Sequence, residues 1–299
     1  MTDRSPIVLR LALWSIPVAF GVMGLKFFAW QLTGSVALLS DALESIVNVV
    51  SAVLALSAIR YANRPADKGH PFGHHKAEYF SAVAEGVLIV LAALLLLEES
   101  IPALMNPRPL DAPVAGLGLK GVAGAVNAAW ALLLIRTGRA HRSPALTADG
   151  RHLMTDVVTS VGVILGLVLA QLTGWAILDP LLAIVVAANI LREGWRVIAG
   201  SLGGLMDSAV EPDGRKRIEA TILGNADGAI EVHDIRTRNA GPATFIEFHL
   251  VVDGDMTVSD SHTICDRIEH ALEDAVPGAQ VIIHVEPGHK VKPGALPVK

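Results

Sequence analysis

Six apolar runs occupy the first two thirds of the chain, and a different pattern follows them. The runs cover 11–32, 35–59, 79–97, 114–135, 157–172 extended back through 143–156, and 177–191 extended toward 204. A helix needs about 20 apolar residues to cross a bilayer, so the pattern predicts six transmembrane helices. After residue 208 strand-like alternation and charged helical segments replace the long runs, which predicts a soluble domain.

The soluble part reads as alternating helices and strands. Amphipathic spacing predicts two helices, and period-two alternation predicts three strands. The helices are Pro212–Leu223 and Val258–Ala275, and the strands are Ile230–Arg238, Thr244–Val252 and Gln280–Glu286. The predicted organisation is a membrane domain over 1–208, a cytoplasmic domain over 209–287 and a flexible end over 288–299.

Composition agrees with a membrane protein and excludes several other classes. The 299 residues are 52% hydrophobic and 18% charged, with a mean hydropathy of +0.49, which is too apolar for an ordinary soluble domain. Cys265 is the only cysteine, so an intramolecular disulfide and a cysteine-rich metal site are both excluded. The net charge of −5 gives no reason to invoke nucleic acid. No cleavable signal peptide is evident.

Basic residues predict the orientation in the membrane. Loops on one side are rich in Lys and Arg, whereas the segments 31–34 and 171–178 carry neither. The basic positions are Arg4, Arg10, Arg60, Arg64, Lys68, Lys76, Arg136, Arg139 and Arg142. Cytoplasmic loops carry such an excess, so we expect a multi-pass protein of the inner (plasma) membrane with both termini in the cytoplasm.

One polar pattern occurs twice within the apolar runs. Residues 35–48 read SVALLSDALESIVN and residues 143–156 read SPALTADGRHLMTD, at a constant offset (143 − 35 = 108). Ser, Ala, Leu and Asp recur at matching places, Glu44 falls opposite His152, and Asn48 falls opposite Asp156. Three crossings separate the two copies, so they run in opposite directions. Inverted repeats of this kind are typical of ion-coupled carriers.

Depth arithmetic brings the two copies together. At 1.5 Å per residue, Glu44 and Asn48 lie roughly 14 and 20 Å from the outer side. His152 and Asp156 lie roughly 10 and 16 Å from the inner side by the same rise. In a core of about 30 Å the four side chains meet near the midplane, and four such donors suit a tetrahedral Zn²⁺ cage.

The alternative reading is that these polar groups only join helices by hydrogen bonds. That reading suits Ser45, Thr155 and Thr159. It suits the ionisable groups poorly, because ionisable groups inside a membrane are costly and usually functional. Asp41 and Asp149, one turn earlier in each copy, suit either a supporting role beside the site or a structural role.

At these residues the chain resembles the cation diffusion facilitators, and most of all the bacterial zinc/proton antiporters among them. Further strings carry the likeness: RPADKGHPFGHHKAE (64–78), ADGRHLMTDVV (148–158), Asp179-Pro180 and HDIRTRNAGP (233–242). The resemblance implies an α-helical membrane protein with six transmembrane helices and a cytoplasmic αββαβ metallochaperone-like domain. It also implies a homodimer in the lipid bilayer that exports divalent metal in exchange for protons.

The first half of the repeat departs from that family. The family usually has Asp or His followed by Asp, and this chain has Glu44 and Asn48. One imidazole, two carboxylates and one amide need not select zinc, so Zn²⁺ is the first expectation while Fe²⁺, Mn²⁺, Co²⁺ and Cd²⁺ stay open.

A second metal site is implied in the loop between the second and third spans. The resemblance marks Asp67, His70 and His74 as its ligands. The alternative is a polar loop whose histidines bond locally.

In the soluble domain, alternation places Glu247 and His249 on one face of their strand, and His284 and Glu286 together on the polar face of theirs. The resemblance maps the tail metal positions onto His233, His249, His262, His284 and Glu286, the last being more often Asp. The implied role is metal sensing. Solvated surface residues are the alternative.

Two functions remain open on the sequence. The first is a metal/proton antiporter, in which metal binding expels protons because the ligands must be deprotonated. The second is a non-transporting membrane metal sensor or scaffold with a degraded transport site. An enzyme is not expected, since HExxH, Ser/His triad and Walker motifs are absent from the sequence, and we predict neither catalytic nor cofactor-binding residues.

Overall fold

A computed structural model describes residues 6–33, 36–105, 114–175 and 177–298. Ser35 of the first repeat copy and Arg4 lie outside the described residues. The chain forms two compact units that divide between Leu202 and Gly203, a few residues before the predicted boundary at 208.

The first unit consists of six long helices, one for each of the six apolar runs. They are α1 (Pro6–Thr33), α2 (Val36–Ala62), α3 (Ala77–Met105), α4 (Val114–Ala140), α5 (Pro144–Thr173) and α6 (Leu178–Leu205). Within the described residues, α1 to α4 each contain a segment long and apolar enough to cross a membrane. Large apolar side chains such as Phe80 and Leu95 are exposed on the single chain, as expected for a surface that faces lipid.

Glycines let two pairs of these helices approach closely. A Cβ on Gly150 of α5 would lie 3.0 Å from the carbonyl oxygen of Ala131 on α4. Cβ atoms on Gly86 of α3 and on Gly194 of α6 would each lie 3.2 Å from the carbonyl oxygen of the other residue. Small residues at membrane helix contacts permit this backbone approach.

Helix α5 lies at the centre of the first unit because it contributes to both of its apolar clusters. Leu146 and Leu153 pack with buried residues of α1, α2 and α4. Ala148 packs with residues of α3 and α6, among them Ile89 and Ile190. The second copy of the repeat is therefore surrounded by the other helices.

The second unit is a four-stranded sheet with helices on one face. Its elements are α7 (Pro212–Leu223), β1 (Ala229–Ala240), β2 (Ala243–Val252), α8 (Val258–Ala275), β3 (Ala279–Pro287), a 3₁₀ turn (Gly288–Lys290) and β4 (Leu296–Pro297). The strand order is β3-β2-β1-β4, with β2 antiparallel to β1 and parallel to β3. Ile222, Phe248 and Ile268 belong to one core between helices and sheet. The αββαβ order is confirmed.

The end of the chain differs from the prediction. Residues 288–299 were expected to be flexible, yet β4 pairs with β1 through Glu231 opposite Pro297 and Val232 opposite Leu296. The amide of Val298 also donates to the carbonyl of Ile230 at 3.1 Å. β4 satisfies backbone groups that the edge of β1 would otherwise present to solvent. A two-residue strand is too short to show alternation in the sequence.

Candidate metal sites

Three of the four residues of the predicted membrane site are in contact. Asn48 of α2 lies between two side chains of α5. Its Nδ2 donates to Asp156 Oδ2 at 2.5 Å, and its Oδ1 is 3.1 Å from His152 Nε2. All three side chains are buried, so one amide closes a hydrogen-bond bridge between the two copies of the repeat.

The hydrogen bond to Asn48 determines which ring nitrogen of His152 carries the proton and which has a free lone pair. An amide oxygen can only accept a hydrogen bond, so Nε2 carries the proton that is donated to Asn48. The neutral imidazole then presents a lone pair on Nδ1. That nitrogen is buried and has no hydrogen-bond partner among the described residues. A buried lone pair without a partner is what a metal ligand offers.

Glu44, the fourth predicted residue, precedes Asn48 by one helical turn. Its side chain is exposed on the single chain, unlike the other three. It interacts electrostatically with Asp156 and His152. Glu44 is therefore linked to the buried trio by charge, and no hydrogen bond to it is described.

The two aspartates shared by the repeat have different partners. Asp41 accepts a hydrogen bond from Lys26 Nζ at 2.9 Å and lies 3.4 Å from Lys120 Nζ. Asp149 accepts from Ser15 at 3.2 Å, and Ser15 accepts from Trp130 Nε1 at 3.0 Å.

A further buried carboxylate lies beside this network. Glu85 of α3 accepts a hydrogen bond from Ser51 and interacts electrostatically with Asp149. Sequence reasoning missed Lys26 and Glu85. The signal that could have found them is a charged residue inside an otherwise apolar run.

The loop between α2 and α3 brings its three predicted residues together. Asp67 Oδ1 is 3.4 Å from His70 Nδ1, and Asp67 Oδ2 is 3.3 Å from His74 Nε2. One ligand atom from each residue fits within 4.8 Å of the others. Asp67 and His70 are exposed, whereas His74 is buried against Tyr61 and its Nδ1 has no hydrogen-bond partner among the described residues.

Backbone amides fix the carboxylate of this loop in its ionised form. The amides of His70 and Gly69 donate to Asp67 Oδ1 at 2.7 and 2.8 Å. These hydrogen bonds, the His70 amide foremost, lower the pKa of Asp67 below its ordinary value. The loop therefore presents a carboxylate to its two imidazoles at neutral pH.

In the second unit, three histidines line up across three strands. His233 of β1 is paired in register with His249 of β2, which is paired with His284 of β3. Their rings follow one another with centroids 5.1 and 4.9 Å apart. They project from the sheet face opposite to Phe248 and Leu250, whose side chains belong to the core.

The Glu286 carboxylate lies close to two of these rings but forms no hydrogen bond with either. Its Oε2 lies 3.2 Å from His233 Nε2 and 3.4 Å from His249 Nδ1. All three atoms are buried, and none has a hydrogen-bond partner among the described residues. Three buried atoms that face each other without bonding leave their lone pairs unsatisfied, and a shared cation would satisfy all three.

The remaining tail residues are less closely associated with this group. His284 Nε2 is 3.7 Å from Glu286 Oε1, and its side chain is mostly exposed. His262 lies on the exposed side of α8, where its Nε2 is 3.5 Å from Asp266 Oδ1. The structure of the single chain therefore does not bring His262 to the other predicted tail ligands.

Two carboxylates of β1 were missed from the sequence. Glu231 Oε1 is 3.1 Å from His233 Nδ1, which holds that ring in place. Asp234 Oδ2 is 3.9 Å from His249 Nδ1 and forms an ion pair with Lys292 at 2.6 Å. Lys292 lowers the pKa of Asp234 below its ordinary value. A register shift after His233 and a positive φ of 54° at Asp234 set this geometry, and strand alternation could not predict either.

Comparison with protein families matches nearly the whole chain. Residues 12–206 match the cation efflux transmembrane domain, and residues 210–288 match the cation efflux protein cytoplasmic domain. The uncharacterized transporter sll1263 of Synechocystis is 44% identical over 276 residues, which cover 92% of this chain and 89% of the relative. The cation-efflux pump FieF of Shewanella oneidensis is 34% identical over 277 residues, covering 91% and 92%.

Two solved structures each match less than a third of the chain. The zinc form of a transporter described as CzrB is 48% identical and covers 29% of this chain and 99% of its own, with a TM-score of 0.28. The metal-bound C-terminal domain of the CzcD transporter from Thermotoga maritima is 32% identical and covers 27% and 93%, with a TM-score of 0.25.

Proposed function

Because the chain belongs to the cation efflux family, whose members are transporters rather than enzymes, we propose that it exports a divalent metal cation from the cytoplasm in exchange for protons. Zn²⁺ is the first candidate as both substrate and regulatory ion, and Fe²⁺, Mn²⁺, Co²⁺ and Cd²⁺ are the alternatives. The protein works as a homodimer in the inner membrane, with both termini in the cytoplasm.

The buried contact of Asn48 with His152 and Asp156 carries this proposal. It supplies an amide oxygen, an imidazole and a carboxylate from two antiparallel copies of one motif. Glu44 completes the set. Metal binding breaks the hydrogen bonds of Asn48, and the His152 ring turns so that its unprotonated nitrogen faces the other donors.

Proton exchange follows from the ligand chemistry. Metal binds neutral imidazole and ionised carboxylate, so binding releases any protons that these groups hold. Exposure to an acidic exterior returns protons to the same groups and expels the metal. The His152 lone pair and the Asp156 carboxylate bind the metal in one state and protons in the other.

The sites outside the membrane serve regulation in this proposal. Metal at His233, His249 and Glu286 satisfies three unpaired buried atoms and so stabilises one arrangement of the soluble domain. His262 and His284 are exposed and are available to a second copy of the chain. Asp67, His70 and His74 bind metal at the cytoplasmic loop. A metal ion biases transport only through its different affinity for the two states of the carrier.

Metal flux into proteoliposomes containing the full chain tests the proposal. We expect uptake of Zn²⁺ driven by a pH gradient, and loss of that uptake in Asp156→Ala. Asp213→Ala, which removes an exposed carboxylate on α7, is the matched control and should transport normally. Competition by Fe²⁺, Mn²⁺, Co²⁺ and Cd²⁺ identifies the preferred ion. A chain that binds metal and transports none would instead be a sensor or scaffold.

A further inference from the structure

A buried ion triad lies one helical turn from the membrane site. Asp41 of α2 is held between two ammonium groups, Lys26 of α1 at 2.9 Å and Lys120 of α4 at 3.4 Å. Lys26 also approaches the backbone carbonyl of Asp41 at 3.4 Å. Lys26 is only 6% exposed, and the side chain of Lys120 is 16% exposed.

The triad carries one positive charge in excess. Two ammonium groups face a single carboxylate, and Asp41 Oδ2 accepts no hydrogen bond within the described residues. Asp41 precedes Glu44 by three residues, so the two lie on the same face of α2. Both lysines interact electrostatically with Glu44 and with Asp156. The excess charge therefore acts on the two carboxylates of the membrane site.

From this geometry we propose that Lys26 and Lys120 set the metal affinity of the membrane site. The two ammonium groups stabilise the metal-free carboxylates and repel a bound divalent cation, and Asp41 limits their effect. The inference rests on the proposed function of that site. The triad thus works as a built-in counter-charge that weakens binding enough for the metal to leave.

The absence of a charge at Asn48 makes this effect important. The site has two carboxylates because Asn48 is neutral. A site with few negative charges attracts a divalent cation weakly, so repulsion from a neighbouring ammonium group offsets a large part of that attraction. Even at an effective dielectric constant of about 40, twice the value typical of protein sites, an ammonium group and a divalent ion about 10 Å apart repel each other by enough to change the Kd at least about tenfold.

A purely structural role makes a different prediction. If the triad only joined α1, α2 and α4, removing any member would loosen the site and weaken metal binding. A counter-charge instead gives effects of opposite sign. Lys120→Gln should tighten binding, whereas Asp41→Asn should weaken it because two ammonium groups are then unopposed.

Equilibrium Zn²⁺ binding to the full chain in nanodiscs tests the proposal. Each variant is compared with the same variant carrying Asp156→Ala, so that Zn²⁺ binding at the loop and tail sites can be subtracted. We expect Lys120→Gln to lower the Kd roughly tenfold and the charge-preserving Lys120→Arg to leave it near wild type. Asp41→Asn should raise the Kd, and both shifts should persist at high salt because the triad is buried.

Weaker binding in Lys120→Gln, or an equal tightening in Lys120→Arg, would overturn the inference. If Asp41→Asn does not fold, the Lys120 pair of variants still decides the question. Because binding is measured without flux, a chain that binds metal with these shifts but transports none would refute the antiporter function and leave the counter-charge intact. If Asp156→Ala removes no Zn²⁺ binding, the membrane site itself is refuted.

Discussion

Replacing Asn48 by Asp should add one proton to those released when metal binds. In the wild type, the Asn48 amide donates to Asp156 Oδ2 at 2.5 Å. A carboxylate at residue 48 cannot donate that hydrogen bond. It would place a second negative charge against Asp156 in a buried site, and the metal-free protein must compensate that charge.

The magnitude favours proton uptake. Two unit charges 2.5 Å apart repel by about 7 kcal/mol at an effective dielectric constant of about 20, and by about 5 kcal/mol if the carboxylates separate to about 3.5 Å. Protonating an ordinary carboxylate at pH 7 costs about 4 kcal/mol. The pair therefore takes up one proton, and a divalent ion bound between the two carboxylates displaces it.

Calorimetry at pH 7 measures this proton directly. Zn²⁺ binding to the full chain is titrated in two buffers of different ionisation enthalpy, and the difference gives the protons released per metal. We expect Asn48→Asp to release one more proton than the wild type. In an Asp156→Ala background the same substitution has no partner carboxylate and should add none. Equal proton release by wild type and Asn48→Asp would refute the reasoning.

Three further predictions concern other parts of the chain. Lys292 lowers the folded pKa of Asp234. Their ion pair therefore stabilises the protein at pH values above the ordinary Asp pKa near 3.9, and this stabilisation is lost as the pH falls through the folded pKa. Lys292→Ala should lower the thermal midpoint at pH 7, and the difference from the wild type should vanish in acid. Gly194→Ala places a Cβ 2.8 Å from Val90 Cγ2 and should destabilise the protein by about 1–3 kcal/mol in thermal unfolding, whereas Gly21→Ala, with open space around it, should be nearly neutral. Glu286→Gln removes the carboxylate that His233 faces and should weaken Zn²⁺ binding in the soluble unit about tenfold or more in competition with a chelating dye; an unchanged affinity would remove Glu286 from the site.

Hydropathy was sufficient to predict the helices because a bilayer imposes a minimum length of apolar chain. Within the described residues, each predicted run corresponds to one helix of the first unit, to within a residue at its start. Strand alternation predicted the three long strands for a similar reason, since one face of each strand must meet the core. The short strand β4 has no such signature. It forms because the backbone edge of β1 is available, and that availability is a property of the folded sheet.

In the candidate sites too, some features could be predicted from the sequence and others arise only in the folded protein. The offset of 108 residues between Asn48 and Asp156 follows from the repeat, and the structure brings these two side chains into contact. Their binding of metal stays a prediction. Lys120 and Asp234 could not be placed from local pattern, because each meets its partner through a contact between elements distant in sequence. His262 was assigned by resemblance alone, and the single chain leaves it apart from the other predicted ligands.

The glycine crossing of α3 and α6 has a structural consequence. At Gly86 and Gly194 the two backbones approach so closely that a side chain on either residue would meet the other helix, so the crossing point depends on two residues without side chains. The second unit begins at residue 203, within the last turn of α6, so the helix that crosses α3 continues into that unit. Helix α3 in turn shares an apolar cluster with α5, the helix that contains His152 and Asp156. One continuous helix thus joins the second unit covalently to the packed helices that surround these two side chains.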